Sequence, residues 1–131
     1  MKPEDIEENI VKKVCLVIGA GAGIGGSVGS RFAKEGYHAA LCRRSVARGL
    51  QTLVNRIEEE GGSATGHLLN AVEDDAIENL VTEVEKIGPI HTVLFNLGAQ
   101  IGNRSLETTT LKNFELGWKM ACFGLFRLAK V

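Results

Sequence analysis

The stretch Val14-Cys15-Leu16-Val17-Ile18-Gly19-Ala20-Gly21-Ala22-Gly23-Ile24-Gly25-Gly26 decides the fold. Its first five residues are a continuous, largely β-branched apolar run, the pattern of a strand buried on both faces in a parallel sheet. The run stops at glycine. Ile24, Val28 and Phe32 then recur at four-residue spacing up to Gly36, which predicts a helix with glycine at its end. Six of the sixteen glycines in the 131 residues fall between Gly19 and Gly29, so the glycine excess is local and needs a mechanical reason.

Working outward, the pattern repeats. Tyr37 to Cys42 reads as a second strand, and Leu50, Leu53, Val54 and Ile57 form the stripe of an amphipathic helix that closes at Gly61-Gly62. A third strand is expected at Ala64 to Leu69. Ile77, Leu80, Val81 and Val84 make the next helix, with Glu73, Asp74 and Asp75 expected in its first turn, where acids favour the positive end of the helix dipole. Gly88-Pro89 ends it, and Ile90 to Leu97 supplies a fourth strand. Leu111, Phe114, Trp118, Ala121, Cys122, Leu125 and Leu128 keep helical spacing, which predicts one long helix over 111–130 with Phe114 and Trp118 on its buried side. The alternation implies an α/β fold of the Rossmann type. It has about four parallel strands in the order 3-2-1-4 with helices on both faces, and stops before a fifth strand. Residues 1–11 read as an N-terminal extension and 12–131 as one domain.

Composition narrows the function. A net charge of −1 argues against a nucleic-acid or membrane-surface partner, both of which call for a basic excess, and no apolar run approaches the ~18 residues of a membrane span. Cys15, Cys42 and Cys122 show no C-x-x-C spacing, and the start of the chain lacks a basic segment followed by an apolar one; a reduced, cytoplasmic setting is expected. His38, His67 and His91 are far apart in sequence and share no i, i+4 face, so no metal site is expected.

The glycine turn carries the chemistry. It contains G-x-G-x-x-G at Gly21, Gly23 and Gly26, and G-x-x-x-G-x-G at Gly19, Gly23 and Gly25. A phosphate needs a sharp turn, close approach without Cβ atoms, and free N–H groups at a helix N-terminus; a strand-loop-helix setting supplies all three. Tight packing of helix on strand is the bland alternative. A Walker loop is excluded because no Gly-Lys-Ser/Thr closes the stretch, while S-adenosylmethionine binding stays open. The end of the second strand bears on the choice. An acid about twenty residues past the glycines would bind the ribose hydroxyls of NAD, whereas arginine accommodates the 2′-phosphate of NADP. Here Leu41-Cys42-Arg43-Arg44-Ser45 offers two guanidiniums and no carboxylate, which favours NADP(H) over NAD(H), although two arginines on a solvated loop would look the same.

These residues resemble the short-chain dehydrogenase/reductase family. Gly19, Gly23, Ile24 and Gly25 match its T-G-x-x-x-G-I-G, with Ile18 in place of Thr. Asn70-Ala71-Val72-Glu73 falls where the family has D-V-T-D. Gly88-Pro89-Ile90-His91-Thr92-Val93-Leu94-Phe95-Asn96-Leu97-Gly98-Ala99 is similar to G-x-I-D-x-L-V-N-N-A-G, and Trp118 to Gly124 is similar to W-x-x-N-x-x-G with Ala121 in the asparagine position. The resemblance implies that Gly19, Gly21, Ala22, Gly23, Ile24 and Gly25 cradle pyrophosphate and that Arg43 and Arg44 take the 2′-phosphate. It also implies that Asn70 and Ala71 line adenine, and that Asn96, Leu97 and Gly98 face the ribose.

It further implies oxidoreduction of a small carbonyl or alcohol. The family's catalytic Ser and Tyr-x-x-x-Lys are not found here, since Tyr37, the one tyrosine, is followed at the fourth position by Leu41. No catalytic residue is therefore assigned. The chain is expected to be the cofactor half of a longer enzyme or a shortened, non-catalytic nucleotide-binding or interaction module. In the second case an uncovered fourth strand and the 111–130 helix would promote homo-oligomers.

Overall fold

The computed structural model describes residues 11–98 and 105–131. Most of the expected N-terminal extension, and Ala99 of the Gly88 to Ala99 motif, lie outside the described residues. Four parallel strands form the sheet: β1 (Val14–Ile18), β2 (His38–Arg43), β3 (Ser63–Leu68) and β4 (Ile90–Phe95), in the order β3-β2-β1-β4. β1 is central, with Val14 to Ile18 opposite His38 to Cys42 on one side and Cys15 to Ile18 opposite Thr92 to Phe95 on the other. All five of its residues are buried, as its unbroken apolar run requires. β3 and β4 are the sheet's edges.

The helices divide the core. α1 (Ile24–Lys34) and α2 (Ala47–Glu59) cover one face, where Cys15, Val17, Ala39 and Leu41 meet Ala33, Leu50, Val54 and Ile57. α3 (Ala76–Glu85) covers the other, placing Ile77, Leu80, Val81 and Val84 on Val14, Leu16, Ile18 and Ala40. Each fully buried aliphatic side chain contributes roughly 1.5–3 kcal/mol of transfer free energy, so the two layers lock the sheet from both sides.

One helix buries residues that its spacing does not mark, and two expectations are corrected. α1 lies where its four-residue spacing predicts, but it buries Gly25, Gly26, Gly29 and Ala33, while Ile24 is 68% exposed. Small residues bring the helix backbone close to β1 and β2. Glu73, Asp74 and Asp75 precede α3 rather than forming its first turn: Asp75 adopts a left-handed conformation (φ 58°), the helix starts at Ala76, and Glu78 is the acid in the first turn. The last helix is not continuous. It divides into α4 (Leu111–Trp118), a π-helical turn over Lys119–Phe123 and α5 (Gly124–Lys130). Phe114 and Trp118 are 71% and 47% exposed, and only Gly124 of α5 is buried, its Cα against the Phe95 ring.

Candidate nucleotide-binding site

The turn after β1 is clamped from both neighbouring strands. The amides of Gly19 and Ala20 both donate to the Cys42 carbonyl at the end of β2 (2.9 and 2.8 Å). On the other side the Asn96 amide donates to the Ile18 carbonyl (2.8 Å), and Asn96 Nδ2 donates to the Gly19 carbonyl (3.3 Å). Gly19 sits at φ +98° with its Cα against the Asn96 carbonyl, so a Cβ there would be strained and would collide with backbone. Gly25 is equally constrained, since a Cβ would strike the Gly19 carbonyl oxygen. α1 therefore begins directly on the turn.

At the mouth of this turn α1 presents unpaired donors. Gly23 occupies the N-cap and has no side chain to bond the first-turn amides. The Gly26 and Ser27 amides turn inward to the Gly21 and Gly23 carbonyls (3.0 and 3.1 Å), leaving those of the preceding positions for an anion at the positive end of the helix.

Two cavities flank the turn, and Arg43 lines both. The larger, about 350 Å³, runs between α1 and α2. Gly21, Ala22, Ser27 and Ser30 form one wall, and Gly49, Thr52 and Arg56 the other. The Arg43 guanidinium lies over Gly49, where an added Cβ would come within 2.9 Å of Nη1. The smaller is a narrow cleft on the opposite side of the turn, lined by Gly19, Arg44, Asn70, Ala71, Leu97 and Met120 among others. Asn70 Nδ2 donates to Glu73 Oε1 (3.0 Å), which leaves Oδ1 as its acceptor.

Eight of the thirteen sequence-derived positions thus line one cavity or the other: Gly19, Gly21, Ala22, Arg43, Arg44, Asn70, Ala71 and Leu97. The other five line neither. Gly23 and Ile24 stand at the open N-terminus of α1, Gly25 and Asn96 brace the turn from behind, and Gly98 is exposed beyond β4. Sequence reasoning missed Ser27, Ser30, Thr52, Arg56 and Met120 as lining residues. Gly49, Thr52, Leu53 and Arg56 are spaced i, i+3, i+4, i+7, a second stripe beside the apolar one that was legible in principle.

The remaining chemistry lies away from the turn. Tyr37 precedes β2, so the length of that strand, ~20 Å, separates it from the glycine turn, and its hydroxyl hydrogen-bonds His91 Nδ1 (3.2 Å). Cys42 lines the narrow cleft, yet burial pushes its thiol up to about 12, and that of Cys15 to about 11; both stay protonated and unreactive. The histidines are not all far apart in space. His38 bonds Ser63 Oγ (2.7 Å) and Thr65 Oγ1 (2.9 Å), and His67 Nε2 bonds the same Thr65 hydroxyl (2.9 Å). Among the described residues no group of three His, Cys, Asp or Glu side chains could hold a metal ion, and no helix is long and apolar enough to cross a membrane.

A doubly clamped glycine turn, an uncapped helix N-terminus and clefts on either side define a dinucleotide-binding α/β domain. Residues 13–131 match the family model described as short chain dehydrogenase, and the chain belongs to that family. A short chain dehydrogenase of Pseudocercospora fijiensis is 32% identical over 119 residues, which are 90% of this chain and 38% of that protein. A variant of actinorhodin polyketide ketoreductase solved with NADPH superimposes with a TM-score of 0.81 at 30% identity, covering 91% of this chain and 45% of the other. An NAD+-bound xylitol dehydrogenase gives 0.81 at 27% identity, covering 90% and 45%. The chain spans less than half the length of each of these three.

Proposed function

We propose that this chain is the NADP(H)-binding part of an oxidoreductase acting on a small carbonyl or alcohol. The observation that carries the reading is Arg43, which ends β2 where an acid would hold the ribose hydroxyls of NAD and lines both cavities beside the glycine turn. On this reading the amides of Gly21 to Gly25 hold pyrophosphate, Arg43 and Arg44 take the 2′-phosphate, Asn70 and Ala71 wall the adenine, and Asn96, Leu97 and Gly98 face the ribose. A guanidinium makes charge-assisted, bidentate bonds to phosphate, and a carboxylate in its place would repel it.

The nicotinamide group supplies the hydride when bound. The described residues bind and orient it but place no tyrosine beside it, since Tyr37 is at the opposite end of the sheet; on this reading hydride transfer needs an acid from outside them. The free state of Cys15, Cys42 and Cys122 supports a reducing, cytoplasmic setting. Exposed Leu111, Phe114 and Trp118 support self-association through 111–130.

Calorimetric titration with NADPH and NADH tests the reading. Tighter binding of NADPH is expected. Equal affinity, or a preference for NADH, would sink the argument from arginine, and binding of S-adenosylmethionine with neither dinucleotide would overturn the reading as a whole. Carbonyl reduction by the 131 residues alone would refute the missing proton donor.

A further inference from the structure

Arg127 of α5 makes a set of bonds that the nucleotide reading does not use. Its side chain is 12% exposed and reaches across to the connection between β3 and α3. Nε and Nη2 donate to the two oxygens of Glu78 (3.0 and 2.6 Å), Nη1 donates to the Ala71 carbonyl (3.1 Å), and Nη2 also donates to the Glu73 carbonyl (3.1 Å). The segment it grips is closed on itself by Glu73, whose amide donates to the Asn70 carbonyl (3.1 Å) and whose carboxylate accepts from the Asn70 side chain. Asn70 and Ala71 are one wall of the narrow cleft, and Met120, in the π-helical turn that leads into α5, lines the same cleft.

We infer that Arg127 is a positioning residue for the adenine side of the site: it fixes the backbone of 71–73, and through it Asn70, without touching the ligand. The inference rests on the nucleotide reading above. The chemistry favours a device rather than an incidental contact. A planar guanidinium has five donors in a fixed fork, and here they are divided between one carboxylate and two main-chain carbonyls on the same short segment. A lysine could hold the charge but not the fork. The segment has no strand or helix of its own to hold it, so its shape depends on bonds such as these.

The test uses the 131-residue chain with adenosine 2′,5′-bisphosphate, which carries adenine and the 2′-phosphate but no nicotinamide, as probe. Arg127→Met and Arg127→Lys should each weaken its binding about tenfold, the scale of a lost charge-assisted bond. Glu78→Gln should cost less, because the bonds to Ala71 and Glu73 survive. The ratio of NADPH to NADH affinity should not move, because Arg43 is untouched, and amide exchange should quicken in 71–73 but not in 14–18.

Loss of wild-type binding of the bisphosphate would overturn the nucleotide reading and this inference with it. Normal wild-type binding that is unchanged in folded Arg127→Lys would overturn this inference alone, and so would weaker binding with no change in exchange at 71–73. Should Arg127→Met not fold, Arg127→Lys and Glu78→Gln carry the test.

Discussion

At the residue scale, Arg43 and Gly19 have opposite vulnerabilities. Arg43 is half-buried at a strand end and lines open space on two sides, so its replacement changes what the site attracts more than how the chain folds. Arg43→Glu should cut NADPH affinity by roughly 10- to 100-fold, the equivalent of about 1.5–3 kcal/mol for a charge-assisted bond, and should narrow or reverse the preference over NADH. Calorimetry with both dinucleotides reads this directly. Gly19 is the converse, a residue whose replacement disturbs the fold first. Gly19→Ala places a Cβ at φ +98° against the Asn96 carbonyl and should destabilise by about 2–4 kcal/mol, measured as a lower urea midpoint at unchanged slope. That the turn is glycine-rich was legible from spacing alone. Which glycine is irreplaceable was not, because it depends on Asn96, 77 residues away in the chain.

At the scale of elements, the sequence was informative wherever burial is one-dimensional. β1 reads as a strand because all five residues are apolar, and α2 and α3 because their stripes face one layer. Strand and helix ends shifted by one or two residues, as with β2, which gains Arg43 and loses Tyr37. The departures have physical causes. α1 packs mainly through Gly25, Gly26, Gly29 and Ala33, residues that carry almost no hydropathy signal, so of its apolar stripe Phe32 reaches the core only from its edge and Ile24 is left exposed.

The 111–130 segment keeps helical spacing, but the π-helical turn at Lys119–Phe123 inserts a residue into the period and rotates α5 relative to α4. Trp118 and Phe123 stack on each other at 5.2 Å, and Leu111 and Phe114 are left 90% and 71% exposed. If this face joins two copies of the chain, Leu111→Lys combined with Phe114→Glu should yield a monomer of unchanged thermal stability. Light scattering behind size-exclusion chromatography would show it; a wild-type chain that is already monomeric at high concentration would remove the proposal.

At the scale of the whole molecule, the pH dependence of stability follows from where titratable groups are held. His38 is buried on the α3 face of the sheet between Ser63 and Thr65, and burial together with the Lys12 and His67 charges holds its pKa below the ordinary histidine value. His67 is also held low, chiefly by burial, with Glu83 partly offsetting it. The unfolded chain protonates these histidines near pH 6.5, before the folded chain does. As pH falls through that value the unfolded state binds more protons, and stability declines until the folded pKa values are reached. Across this window each proton the folded form refuses costs about 1.4 kcal/mol per pH unit. A second decline follows at lower pH. The Arg127 guanidinium holds the Glu78 carboxyl below its ordinary value, so the stability this pair supplies is complete above the unfolded carboxylate pKa and is lost as pH falls through the folded one. Urea midpoints measured from pH 8 to pH 3 should therefore step down twice. His38→Gln, which can still bond Ser63 and Thr65, should flatten the first step and leave the second, whereas Glu78→Gln should do the reverse. A wild-type profile flat between pH 7.5 and 5.5 would mean that the His38–Thr65–His67 chain accepts its proton as readily folded as unfolded.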